Sequence, residues 1–170
     1  MIKSDTRNQG RTQGHRLLAD AMLGRLAKWL RILGYDTAYL SDTDDFALMR
    51  LARAQDRLIL TRDRALAARR GVRALLVKSE TLDEQLRQVC VAVGPPPDPP
   101  LPRCSVCNHP LAQVSPERVA DRLPVYIRQT HDQFSFCANC DRVYWRGTHW
   151  QRMMALINGL RDGAGFDTIT

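Results

Sequence analysis

A chain of 170 residues with 44% hydrophobic content holds one ordinary core and leaves little for a second. With 25% charged residues and a formal net charge of +7, it suits an encounter with polyanions, RNA or DNA first, or equally a merely basic, well-solvated surface. No apolar run approaches the roughly 20 residues that span a bilayer, and the opening MIKSDTRNQGRTQGHR lacks the apolar core of a signal peptide, so membrane and secreted classes are set aside and a cytoplasmic location is expected.

Residues 1–14 read as a disordered leader. A first strand is predicted over 16–19, ending on Asp20. Met22, Leu26, Trp29, Leu30 and Leu33 recur at helical spacing, which predicts a helix over 22–33 with Gly34 as its stop. A second strand follows over 37–40. The segment SDTDD offers N-cap candidates for a helix to Gln55, with Phe46, Leu48, Met49, Leu51 and Ala52 available to pack. The apolar run 58–61 predicts a strand covered on both faces. A short helix over 65–70 then leads through Gly71 to a strand over 74–77. Thr81 with Glu84 is a capping-box signature for a helix to Val93. Strands alternating with helices predict a parallel α/β sheet over 15–93.

The stretch GPPPDPPLP, residues 94–102, cannot continue a helix and reads as a stiff linker. Composition changes beyond it, over 103–160, to cysteine pairs and aromatics; 111–114 and 124–128 read as ribbon strands, a last helix is predicted over 150–160, and 161–170 reads as a disordered tail. Cys104-Ser-Val-Cys107 and Cys137-Ala-Asn-Cys140 are two CxxC turns, and each can aim two thiolates at one point. Together they supply the tetrahedral sulfur set that Zn2+ prefers, with a longer gap between pairs than the common spacing. Two disulfides, a redox CxxC or an iron–sulfur cluster are the competing readings. Four cysteines complete the shell without His109 or His131, so the zinc is expected to be structural; Cys90 reads as packed core.

Asp20 ends the first strand, Asp45 starts the second helix and Asp63 follows the third strand. In a parallel α/β sheet these positions share one edge, so three carboxylates distant in sequence can converge there and call for a cation. Hard oxygen ligands select Mg2+ or Mn2+, which can activate water against a phosphodiester. The bland alternative is that each acid is a helix cap, Asp42, Asp44 and Asp45 among them.

The segments LLADAMLGRLAKWLRILGYDT, DTDDFALMRLARAQDRLILTRDRAL, RCSVCNHPL and FCANCDRVYWRGTHWQRM resemble the Mut-seven C-terminal ribonuclease family, a PIN-like nuclease domain with an appended zinc ribbon. The resemblance covers roughly residues 16–157. It implies that Asp20, Asp45 and Asp63 are catalytic ligands for Mg2+ or Mn2+, with Asp44 an adjacent contender for the second role and Thr61 holding the turn or a metal-bound water. The chain departs from the usual four acids, since Glu80 and Asp83 are no secure fourth.

Arg25, Lys28 and Arg31 lie on the first helix, and Arg62 and Arg64 flank Asp63; these are candidate RNA-phosphate contacts, Arg62 equally an ion-pair partner for a nearby acid. Arg146 and His149 sit among Tyr144, Trp145 and Trp150, a mixture suited to single-stranded RNA or to plugging the ribbon onto the α/β body. The expectation is thus an α/β fold, a PIN-like parallel-sheet domain with a small four-cysteine zinc ribbon, acting as a metal-dependent ribonuclease. Its rivals are a non-catalytic RNA-binding protein with a degenerate site and an interaction module whose ribbon docks on a protein partner.

Overall fold

The computed structural model describes residues 16–96, 103–148 and, in the last helical stretch, 151, 154, 155, 158 and 159. The expected leader, the tail and residues 97–102 of the expected linker lie outside the described residues, as do His149 and Trp150.

Four parallel strands, β1 (Leu17–Ala19), β2 (Thr37–Tyr39), β3 (Leu58–Thr61) and β4 (Ala74–Leu76), form one sheet in the order β2-β1-β3-β4. Helices α1 (Gly24–Ile32), α2 (Asp45–Ala54), α3 (Arg64–Ala67) and α4 (Leu82–Val93) alternate with them. The alternation of side chains along β1 shows why its run is wholly apolar. Leu17 and Ala19 enter one core with Leu26, Leu30, Leu86 and Val89 of α1 and α4. Leu18 points to the opposite face and meets Leu48, Ala52 and Leu66 of α2 and α3. Each fully buried leucine stabilises the fold by about 2 kcal/mol.

Several local features differ from the expected ones. Met22 belongs to a 3-10 turn, Ala21–Leu23, ahead of α1, and that change of pitch turns it outward to 67% exposure. Phe46, in the first turn of α2, is 70% exposed rather than packed. Arg31 is buried, not part of a solvated face. Thr81 is the N-cap of α4 but makes no capping bond; the Ser79 hydroxyl donates to Glu84 and also accepts from the Thr81 N–H, so the expected box is not formed. Gly34, at φ 98, ends α1 as expected, with its N–H donating to Arg31 O.

The second sheet is antiparallel, β5 (Ala112–Val114), β6 (Phe134–Cys137) and β7 (Arg142–Trp145) in that order. Between β5 and β6 lie α5 (Pro116–Val119), a second 3-10 turn and α6 (Val125–Thr130). The strand expected over 124–128 is therefore a helix. Its apolar residues obey a four-residue period: Leu123 and Ile127 both meet Phe134, while Val125 and Tyr126 face solvent. Only Val119, Leu123 and Phe134 are buried in this cluster, too few to hold a domain unaided.

Candidate metal centres

Each cysteine pair sits on a local turn whose construction is repeated. The Cys104 sulfur accepts the N–H groups of Val106 and Cys107, and the Cys137 sulfur those of Asn139 and Cys140. Immediately after each pair the chain turns left-handed, at Asn108 (φ 68) and Asp141 (φ 57). There the N–H of each residue returns to Cys104 O and Cys137 O, both at 2.9 Å. Asn and Asp are the side chains that best tolerate this conformation, a signal visible in the sequence that the cysteine spacing had overshadowed.

All four sulfurs lie within 4.8 Å of one another, with Cys107 Sγ 3.5 Å from Cys137 Sγ. A tetrahedron of about 2.3 Å Zn–S bonds has edges of about 3.8 Å, so the cluster fits zinc and has no open corner for catalysis. The Tyr144 hydroxyl lies 3.0 Å from Cys104 Sγ, placed to donate to it as a thiolate and so to support the ligand from outside. Charge is shared unequally among the thiols. Burial works against ionising Cys107, yet hydrogen bonds from the His109 N–H and the Cys140 thiol lower it to about 6. Cys140 is pushed up to about 12, first by its bond to Cys107 and then by burial. Cys90 is apart, buried, and burial raises it, which suits an inert core thiol.

The first cysteine turn is fastened to the α/β layer by a polar network that sequence reasoning missed. Asn108 Nδ2 donates to Asp36 Oδ1 (2.7 Å), and Asn108 Oδ1 accepts the Thr37 N–H (3.1 Å). Arg31, from α1, donates to Thr37 O, Ser105 O and Val106 O. Arg57 pairs with Asp36 at 2.8 Å and also reaches Leu17 O. Burial would raise the Asp36 carboxyl, but the bonds from Arg57 and Asn108 and the charges of Arg57 and Arg103 hold it below the usual carboxylate range. Asp36 and Arg57 directly precede β2 and β3, so the ribbon docks at the amino edge of the parallel sheet. Nothing in the local sequence marks Asp36 as an anchor, because its partners are recruited from positions far along the chain.

The acids occupy the other edge. Asp20 follows β1, and its Oδ2 accepts the Thr61 hydroxyl at 2.7 Å while Oδ1 accepts the Ala21 N–H. Thr61, fully buried at the end of β3, in turn accepts the Asp63 N–H at 3.0 Å. Asp63 Oδ1 takes the N–H groups of Ala65 and Leu66, capping α3. The structure thus brings Asp20 and Asp63 to one edge through Thr61. Asp45 is not drawn in: its Oδ2 lies 3.4 Å from Arg69. Asp44 caps α2 through the Ala47 N–H. Among the described residues, no three carboxylates lie as close together as the four sulfurs do.

The basic candidates are distributed unevenly. Arg62 pairs with Glu80 at 2.9 Å. Arg25, Lys28 and Arg64 are exposed, as are Arg146 and Trp145, the latter to 39%. His149 lies outside the described residues.

Residues 15–157 match the Mut7-C RNAse domain. The chain belongs to that family. Comparison with curated proteins finds no match, and comparison with solved structures finds none. As a Mut7-C RNAse domain the chain has a ribonuclease-type function, with RNA the implied substrate. The four-cysteine cluster able to hold a structural metal falls inside the matched span. No helix among the described residues is long and apolar enough to cross a membrane.

Proposed function

We propose that this Mut7-C chain is a PIN-like ribonuclease that hydrolyses single-stranded RNA at an acidic Mg2+ or Mn2+ site, working in the cytoplasm. The reading takes 15–93 as the nuclease domain and 103–160 as a zinc ribbon that stiffens it. What carries it is the chain Asp20–Thr61–Asp63 at the carboxyl edge of two adjacent parallel strands, in a member of an RNase domain family.

The donor set fits such an ion. Magnesium keeps several waters and needs only one or two carboxylates, which Asp20 and Asp63 would supply; Asp45, now paired with Arg69, would be a third. Such a cation, when bound, lowers the pKa of a water and offsets charge on the leaving oxygen. The protein's part is preorganisation. Thr61 fixes Asp20, two backbone N–H groups fix Asp63, and exposed Arg25, Lys28 and Arg64 hold phosphates.

One observation favours the rival, an RNA binder without catalysis: Asp45 faces an arginine rather than the other two acids. Cleavage assays on labelled single-stranded RNA decide between them. The enzyme requires added Mn2+ or Mg2+ and loses on the order of a thousandfold in rate in Asp20→Asn and Asp63→Asn, several kcal/mol of lost stabilisation. Wild-type binding with no cleavage under any divalent ion leaves the binder standing alone.

A further inference from the structure

Helix α1 connects the two edges of the parallel sheet. It begins beside Asp20 at the acidic edge and ends with Arg31 at the ribbon's docking point. Arg25 and Lys28, three residues apart, share one exposed face of it. Where α1 meets the ribbon there is a cleft of about 350 Å3 lined by Lys28, Ser105, Val106, Arg142, Val143 and Tyr144. That volume is near the lower end of ligand clefts, enough for one nucleotide's sugar and phosphate and not for a duplex.

Three polar atoms of the cleft's wall are already engaged. Tyr144 bonds Cys104 Sγ, while the carbonyls of Ser105 and Val106 accept from Arg31. What remains for a ligand is charge. Lys28 and Arg142 are both exposed, and among the described residues neither has a carboxylate partner. They come from different layers, one from α1 and one from β7, so their spacing exists only while the ribbon is docked.

We infer that Lys28 and Arg142 form a phosphate-binding subsite for single-stranded RNA, which runs from the acidic edge along Arg25 and Lys28 into the cleft between α1 and the ribbon. This rests on the ribonuclease reading and adds to it a second role for the ribbon, as one wall of the substrate path. The competing use of the two cations is to balance the negative charge of a zinc tetrathiolate. Buried Arg31 already serves that centre, donating to the carbonyls of Ser105 and Val106 between its first two cysteines and feeling the charges of Cys104 and Cys107.

The test uses full-length, zinc-loaded protein carrying Asp20→Asn to prevent cleavage, and fluorescence anisotropy with labelled oligouridylate across a salt series. Lys28→Ala/Arg142→Ala lowers affinity about tenfold, because two charge-assisted contacts are lost. The slope of log affinity against log salt shrinks by about 1.4, the value for two phosphates on a single strand. Zinc content and melting temperature stay at the parent's values. Unchanged affinity and slope, or a fall in zinc retention that accounts for the whole loss, overturns the subsite. Should the parent itself show no salt-sensitive RNA affinity, the ribonuclease reading falls as well, which separates the two failures.

Discussion

The sulfur cluster and the acidic edge are built on opposite plans. Each half of the sulfur cluster is a closed local turn, so pairing two halves suffices to gather four ligands within 4.8 Å. The acidic edge has no local unit. Its two acids arrive after separate strands, Asp63 held by helix N–H groups and Asp20 by Thr61, while Asp45, the third candidate, stays with Arg69. A site made of adjacent ligands is assembled by the backbone, whereas the proposed acidic site, made of distant like charges, would need a cation to offset their repulsion.

The largest effect that tests this contrast is loss of zinc. With three buried apolar residues in its cluster, the ribbon should unfold when a chelator strips the metal or Cys107 becomes Ser, since structural zinc supplies about 10 kcal/mol or more to small domains. Near-ultraviolet circular dichroism from the tyrosines and tryptophans would follow it. A ribbon that keeps its signal without metal breaks the comparison.

Next comes the docking network. Asp36→Asn removes the charge facing Arg57 and Arg103 and should cost about 2–3 kcal/mol, read by urea unfolding. The sign of the pH effect follows from a folded pKa below the usual one. Asp36 contributes fully above the ordinary carboxylate range, and its contribution disappears as pH falls through the depressed folded value. Wild-type and Asp36→Asn stabilities should therefore converge in acid; curves that stay parallel would show that Asp36 is not the anchor.

Thr61→Val is milder. It keeps the volume at a fully buried position but deprives Asp20 of one donor and the Asp63 N–H of its acceptor, costing about 1–2 kcal/mol of stability. Metal-dependent cleavage should fall in parallel as Asp20 loosens, with the Mn2+ requirement shifted to higher concentration. Smallest of all is Arg69→Ala. The ion pair with Asp45 is half exposed, so stability should move by no more than about 0.5 kcal/mol. Mn2+ affinity by titration calorimetry should nonetheless rise, because Asp45 no longer has to be released. No gain there would mean that Asp45 is not a ligand.

What the residues alone established was the order and type of the α/β elements, because apolar runs such as 58–61 and helical repeats such as Leu26–Leu30 declare their faces locally. The four-cysteine centre was equally legible, since CxxC fixes its own turn. Pitch and partnership were not: Met22 turned outward on a 3-10 turn, 124–128 coiled where a strand was expected, and Arg31 left the solvated face to bond the ribbon. The Arg31 outcome depends on contacts between residues tens of positions apart, as does the bond of Asp36 with Asn108, which only the packed chain brings into reach. Burial and charge pairing are properties of neighbours in space, and a linear pattern specifies them only where the neighbours are also close in sequence.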